Sequence, residues 1–371
     1  MGLFSNLFTK KNGSVLGIDI GMSSIKAVQL SLQGGKAVLE TYGELALGPY
    51  GSADAGRAIS LSPEKTSEAV RDLIRESKIT ADSCGVAIPF TSSLISVIEL
   101  PAGTEKQLNN IMPIEARKYV PVPISEVSLD WSIIPKAADR EVKFSENEES
   151  KTPADDKLDI LLVAIHNEAL TRYQTIVSQA SLEASFFEIE IFSTIRSVVE
   201  QDTVTRMIVD MGAAATKVYI VERGVIRASH IVNRGSQDIT LTLSTALGVT
   251  VQEAEIMKRD LSRIPETQRK NAVEVIGLML DHVFSEANRV LVTYQKRFNK
   301  DISEIIMVGG GARLQGILSI AESHFQTEVA LGAPFSKTQA PAFLEEVLRN
   351  TGPEFAVAVG VALRKIQEDS R

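Results

Sequence analysis

Leu16-Gly17-Ile18-Asp19-Ile20-Gly21-Met22-Ser23-Ser24-Ile25-Lys26 has a counterpart far along the chain in Ile208-Val209-Asp210-Met211-Gly212-Ala213-Ala214-Ala215-Thr216-Lys217. Each is an apolar strand ending in Asp, one apolar residue, Gly and small residues. In each, a Lys lies seven positions after the Asp and a second strand follows. One copy opens each half of the chain, which predicts two related lobes with a cleft between them, a common place for a ligand. Glycine in a tight strand turn lets backbone N–H groups approach a phosphate with no side chain in the way. Hydroxyls of Ser23, Ser24 and Thr216 add donors. An Asp at each strand end suits hydrated Mg²⁺, which keeps several waters and takes few carboxylates. One Asp-x-Gly turn is an ordinary hairpin. Two in matching surroundings predict a phosphate clamp, with Gly21, Met22, Ser23, Ser24 and Lys26 on one side and Gly212, Ala213 and Thr216 on the other. Asp19 and Asp210 are the expected water-mediated magnesium ligands.

Working outward, Gln33-Gly34-Gly35 turns the strand over Ile25–Ser31 into a third near Val38–Leu47, so the first repeat opens a meander. Ser62-Pro63 starts a helix to about Lys78, with Ala69, Val70, Leu73 and Ile74 on one face. Cys84–Pro89 and Leu94–Leu100 are strand-like. Thr104 with Gln107 predicts a capping box for a helix to about Tyr119, stopped by Pro121 and Pro123. Val127–Ile134 and Leu158–Ile165 are further strands, and Asn167 is expected to cap the helix that follows. Between them residues 137–156 are almost wholly polar and acidic, and are expected to form a mobile loop.

Beyond the second repeat, Glu222-Arg223-Gly224 turns the chain into a strand over Val225–Val232, and helices fill Ser236 to about Asn299. Thr250 with Glu253 is a second capping-box pattern. A strand over Ile305–Val308 runs into Gly309-Gly310-Gly311 and a helix. The terminal helix, Pro353–Gln367, carries the small residues Ala356, Ala358, Gly360 and Ala362. Meanders alternating with helices predict a mixed α/β architecture.

Composition narrows the function classes. With 371 residues, of which 44% are hydrophobic and 23% charged, the chain can bury a large core over two or three domains. A net charge of -8 argues against nucleic-acid binding through a basic surface. The single cysteine, Cys84, excludes an intramolecular disulfide and a cysteine-based zinc site, and fits a reducing compartment. His166, His230, His282 and His324 form no ligand pair at helix spacing. No apolar run reaches the roughly 18 residues needed to span a bilayer. The start, Met1 to Lys11, is too short for a signal peptide, and a cytoplasmic location is expected.

Two motifs point to a nucleotide. Gly309-Gly310-Gly311 follows a strand and opens a helix, so a flat base can lie against bare backbone. It is not Gly-x-Gly-x-x-Gly, because Leu314 stands at the last position, which argues against a dinucleotide fold. Ala254-Glu255-Ile256-Met257-Lys258 puts Glu255 and Lys258 three apart on one helical face, where they are either a surface ion pair or part of the site.

These motifs, in this order, resemble those of the actin, Hsp70 and sugar-kinase ATPase superfamily. The two Asp-Gly hairpins are similar to its phosphate motifs. Ile306-Met307-Val308-Gly309-Gly310-Gly311-Ala312, with Arg313 following, is similar to its adenosine motif. Glu255 and Lys258 resemble the helix that contacts ribose and adenine, Gly352–Ala362 resembles the second connecting helix, and Ile189–Val198 sits where the first should be. Within the superfamily the chain resembles the PilM family of type IV pilus assembly proteins, through Leu16–Leu30, Leu100-Pro101, Ile114-Glu115-Ala116-Arg117-Lys118-Tyr119-Val120-Pro121-Val122-Pro123, Val127–Trp131 and Asp159–Ala164.

The resemblance spans nearly the whole chain apart from residues 137–156. It implies an actin-like (ribonuclease H-like) two-lobed α/β ATPase fold with an extra subdomain of the kind shared with the division protein FtsA. The implied division is 1–84 for the first lobe, 85–180 for the inserted subdomain and 181–205 for the return with a connecting helix. Residues 206–350 form the second lobe, helical over about 236–300, and 351–371 the last connecting helix.

The resemblance further implies ATP and Mg²⁺ as cofactors. It implies a cytoplasmic scaffold held at the inner membrane by the N-terminal cytoplasmic segment of a PilN-type protein. It also implies indirect links to other pilus-platform proteins and assembly ATPases, and leaves self-association open. In the family that segment docks in a groove of the extra subdomain and first lobe. Here Leu94–Leu100, Val127–Ile134 and the helix with Ile114–Tyr119 lie near such a groove. The alanine-rich second turn and Met22 in the first point to slow hydrolysis. Glu188 or Glu190 are candidates to orient a water, beside the reading that they are a solvated helix face. The alternatives are an FtsA-like filament protein, though the polar end Lys365–Arg371 lacks a membrane helix, and a small-molecule kinase of the same fold.

Overall fold

The computed structural model describes residues 13–134 and 157–369. The acidic stretch 137–156 and the apolar start at Leu3–Phe8 lie outside the described residues.

The first repeat folds as β1 (Val15–Ile20) and β2 (Ser24–Gln33), followed by β3 (Lys36–Ala46), α1 (Pro63–Glu76) and β4 (Ser83–Ile88). Next come β5 (Ser93–Pro101), α2 (Leu108–Glu115), β6 (Val127–Ile133) and β7 (Lys157–His166). The chain returns through α3 (Asn167–Gln179), β8 (Glu183–Ile189) and α4 (Glu190–Val198). The second repeat is β9 (Thr205–Met211) and β10 (Thr216–Glu222), followed by β11 (Val225–Val232), α5 (Ser236–Leu247), α6 (Val251–Arg259) and α7 (Glu266–Phe298). Then follow β12 (Glu304–Val308), α8 (Ile317–Phe325), β13 (Glu328–Leu331), α9 (Glu345–Thr351) and α10 (Ala356–Asp369).

Two five-stranded sheets have the same topology, β3-β2-β1-β4-β8 and β11-β10-β9-β12-β13. In both, a three-stranded antiparallel meander is extended by two parallel strands. The duplication reaches the turns. Gly34-Gly35 and Arg223-Gly224 are both two-residue loops with positive φ at both positions, the geometry that matches the twist of a hairpin. The third sheet, β5-β7-β6, is antiparallel and departs from the end of β4.

α10 packs tightly on the first-lobe sheet and on α4 because small residues at the contacts permit close approach. Gly17 of β1 lies directly beneath the backbone of Ala358 and Ala362, and Gly360 lies against the Ser193 carbonyl of α4, so a methyl group at either glycine would overlap backbone atoms. One apolar cluster joins all three bodies, with Ile95 and Leu161 from the inserted sheet, Phe90 at its root, Ile191 and Ile195 from α4, and Ile208, Tyr219 and Val308 from the second lobe.

Several local expectations are corrected. Thr104 does not cap a helix: its hydroxyl donates to the Pro101 carbonyl, a 3₁₀ turn covers Glu105–Gln107, and α2 begins only at Leu108. Asn167 is the first residue of α3 rather than its cap, and its side chain bonds to Ser128 Oγ and the Ser125 carbonyl. The box at Thr250 and Glu253 is formed reciprocally. The short strands β8 and β13 carried no signal in the sequence reading.

Candidate functional site: the cleft between the lobes

The spacing of seven between Asp and Lys has a structural meaning. Across a four-residue turn it places the two residues directly opposite each other, Asp19 facing Lys26 and Asp210 facing Lys217. Both turns close alike, Gly21 N–H donating to the Ser24 carbonyl at 3.0 Å and Gly212 N–H to the Ala215 carbonyl at 3.1 Å. The next carbonyls are taken by neighbouring backbone. Leu47 and Ile59 donate to Ser23 and Met22, and Ser236 and Gln237 donate to Gly212 and Ala213. Amides are the backbone groups these turns have left to offer an anion.

The turns face one cleft of about 760 Å³, within the range of small-ligand sites. It is lined by Asp19, Gly21, Met22, Ser23, Ser24 and Lys26 from the first lobe and by Asp210, Gly212, Ala213, Glu255, Lys258, Gly309, Gly310, Gly311 and Arg313 from the second. Thr216 stands apart from these expected site residues. It is fully buried, and its hydroxyl donates to the Arg234 carbonyl.

The cleft floor is strongly charged. Lys217 Nζ lies 2.9 Å from Glu190 Oε2 and 3.2 Å from Asp210 Oδ2. Burial pulls the Lys217 ammonium down, but Asp210 and Glu190 outweigh it and hold the group well above the ordinary lysine range. Burial pushes the Asp19 carboxyl up to about 6; Glu190 and Asp210 add to the push, while Lys26 and Lys217 oppose it. Lys26 Nζ donates to Ser24 Oγ at 2.7 Å and pairs with Glu44 at 3.2 Å. Among the described residues no group of three or more His, Cys, Asp or Glu gathers as a metal cage. Two half-buried to buried carboxylates, beside turns rich in backbone donors, instead suit a magnesium ion that keeps most of its water.

The adenosine-type motif is shaped by glycine. Gly309 has φ +85°, and a Cβ there would come 2.6 Å from the Met211 carbonyl and 2.7 Å from Asp210 Oδ1. Gly309 N–H donates to the Pro353 carbonyl at 2.8 Å, and Arg313 pairs with Glu354 at 2.6 Å. Burial, together with Glu44, pushes Glu354 up from the usual carboxylate range. Glu255 and Lys258 are a buried pair in the cleft wall and not a surface one, 2.6 Å apart, with Thr240 between them. Lys258, Arg259 and Thr240 overcome the burial of Glu255 and hold it below the usual range.

The reading of Glu188 and Glu190 as a solvated face is overturned, since both are buried. Glu188 is gripped by Arg196, Ser193 and Arg364. Glu190 points into the cleft, where Lys217 holds one oxygen and the Phe90 N–H, at 2.7 Å, holds the other. Lys217, Glu44, Arg259 and Glu354 are cleft residues that the sequence reading did not place. Of these, Lys217 alone carried a usable signal, as the partner of Lys26 in the repeat. The cleft is also lined by Leu61, Thr66, Pro89, Ser92, Arg172 and Tyr173, which form a wing at the root of the inserted sheet.

Two duplicated sheets around a nucleotide-sized cleft, closed by crossing helices, define an actin-like ATPase fold. A solved PilM-PilN type IV pilus biogenesis complex contains a chain that superposes with a TM-score of 0.78 at 21% identity, covering 96% of this chain and 99% of that one. MreB 5 of Spiroplasma citri, bound to AMPPNP, superposes at 0.52 with 10% identity, covering 97% and 98%. The cell division protein FtsA of Neisseria meningitidis is 23% identical over 376 residues, 93% of this chain and 88% of its own length. The family model of the type IV pilus assembly protein PilM matches residues 17–366, and the chain belongs to that family. Among the described residues no helix is long and apolar enough to cross a membrane.

Proposed function

We propose that this chain is an ATP–Mg²⁺-binding scaffold of the type IV pilus inner-membrane platform, held at the cytoplasmic face by the N-terminal segment of a PilN-type protein. The observation that carries the nucleotide reading is the pair of hairpins whose Asp–Lys pairs stand in identical register on opposite sides of one cleft. In this reading Asp19 and Asp210 hold the waters of the magnesium ion, which neutralises the phosphates when bound. Lys26 and the turn amides at Met22–Ser24 and Ala213–Ala215 take the phosphates, and Gly309–Gly311 receives the base. Turnover is expected to be slow, because Glu190, the carboxylate best placed to orient a water, must first give up a donor: both its oxygens are held in this arrangement.

The docking reading is supported by the wing at the root of the inserted sheet. It is supported too by Ile114 and Tyr119, which stay 63% and 41% exposed beside that sheet and so offer apolar side chains to an extended peptide. Calorimetric titration of the full chain with Mg²⁺·ATP is expected to show binding that Asp19→Ala and Asp210→Ala each weaken at least tenfold, about 1.4 kcal/mol. Unchanged affinity in both variants overturns the nucleotide assignment. A second titration, with a synthetic PilN-type N-terminal peptide, tests docking independently, and the absence of heat with or without nucleotide removes that part.

A further inference from the structure

Glu190 is the first residue of α4, and its two oxygens answer to different parts of the molecule. Oε2 accepts from Lys217, on the second-lobe hairpin that carries Asp210. Oε1 accepts from the backbone N–H of Phe90. Phe90 opens the 3₁₀ turn Phe90–Ser92, which links β4 of the first lobe to β5 of the inserted sheet. This turn is one of the two described crossings into that sheet, the other being His166-Asn167 between β7 and α3. The Phe90 side chain is buried in the cluster shared by the inserted sheet, α4 and the second lobe. The root cannot shift without moving that amide.

We propose that the Phe90 amide is a positioning group that couples the inserted subdomain to the nucleotide cleft through Glu190. Two arrangements define the coupling. In the one described here, Glu190 is clamped between Phe90 and Lys217. In the other, Glu190 turns toward water at the bound phosphates and releases the Phe90 N–H, which frees the root of the inserted sheet. Coupling of this kind is reciprocal, so a peptide docked at the inserted subdomain alters nucleotide affinity by the same factor that nucleotide alters peptide affinity. The inference rests on the nucleotide reading above and adds to it the route by which a partner senses the nucleotide.

The test uses the full chain with Mg²⁺·ATPγS, following hydrogen exchange over residues 86–101 and 157–166, with calorimetry on the same samples. A hydrogen bond from an amide to a buried carboxylate is worth enough that its release speeds exchange about tenfold or more. The expected result is that acceleration at residues 90–92 when nucleotide binds, with altered exchange spreading into β5 and β7. Phe90→Pro removes the N–H. The backbone accepts proline here, since Pro89 has ψ 140° and residue 90 opens a helical turn. Phe90→Ala loses the same ring but keeps the amide. Nucleotide-dependent exchange in β5 and β7 is expected to persist in Phe90→Ala and vanish in Phe90→Pro. Should the proline variant not fold, Glu190→Ala takes its place, with Lys217 still paired to Asp210. Binding without any change in the inserted sheet, or a response retained in Phe90→Pro or Glu190→Ala, overturns the coupling and leaves the nucleotide reading intact. A chain that shows no binding heat loses both.

Discussion

Replacing Lys217 by methionine tests the electrostatics of the cleft floor with little change in volume. The ammonium is the common partner of two carboxylates at 2.9 and 3.2 Å, and the three side chains are only 15%, 8% and 6% exposed. At an effective dielectric of about 20, each contact is worth roughly 5 kcal/mol before desolvation. Breaking a buried pair by removing one member costs about 3–5 kcal/mol, because the partner is left as an uncompensated charge. Lys26 cannot step in while it is held by Ser24 and Glu44. Lys217→Met is therefore expected to lose about 3–5 kcal/mol at pH 8, a large share of the roughly 5–15 kcal/mol that holds a domain together. The loss should shrink on acidification. Without the ammonium, two buried carboxylates are left without their shared counter-charge, and acid relieves that uncompensated charge. Urea unfolding at pH 8 and pH 5 measures both effects. A loss below about 1 kcal/mol at pH 8, unchanged at pH 5, is the behaviour of an exposed ion pair and would refute the reasoning.

Two further outcomes follow from the same geometry. Asp19 is raised from 3.8 to about 6, so the metal-free folded state binds its proton more tightly than the unfolded chain. Its ionisation therefore imposes a penalty that sets in as pH rises from about 4 to 6 and reaches about 3 kcal/mol above that window. Asp19→Asn should make the metal-free protein more stable at pH 8 and no more stable at pH 4, and a pH-independent difference between the two proteins in urea unfolding would contradict this. Gly360→Ala drives a methyl group into the Ser193 carbonyl between α10 and α4, and overpacking of this kind costs about 1–3 kcal/mol or more. A thermal midpoint unchanged from wild type would show that the two connecting helices are not locked as described.

The repeat was legible because its signal is local: an Asp, a turn and a Lys within eight residues, twice over. The register that makes these residues face each other follows from the turn length alone. Glu190 was far less legible. Glu188-Ile189-Glu190 offers two carboxylates, and only the end of β8 decides that one meets Arg196 and Arg364 while the other enters the cleft. β13 has four residues at a sheet edge, too few for an alternating pattern to show. Thr104-x-x-Gln107 matched a capping box but follows Gly103, which has φ +85°, and the threonine hydroxyl finds the Pro101 carbonyl before a helix can form.

The duplication does not repeat Glu190 in the second copy. Strand for strand, β8 corresponds to β13; with Asp19 and Asp210 as equivalent positions, Ala87 matches Val308, so Glu188 corresponds to Gly332 and Glu190 to Pro334. At Gly332 a Cβ would come 2.5 Å from a Val308 methyl and 3.1 Å from one of Val198, and at Pro334 the chain opens a 3₁₀ turn, so the second copy repeats neither carboxylate. The two copies divide again where β4 and β12 end. In the second lobe the chain enters the bare Gly309–Gly311 turn, whereas in the first it leaves through Pro89 and Phe90 into the inserted sheet. In a sheet of this kind, ligands gather at the carboxyl ends of the parallel strands. An insertion after β4 must therefore root itself beside the cleft, and its first backbone amide lies within reach of Glu190, a carboxylate that the second lobe does not repeat.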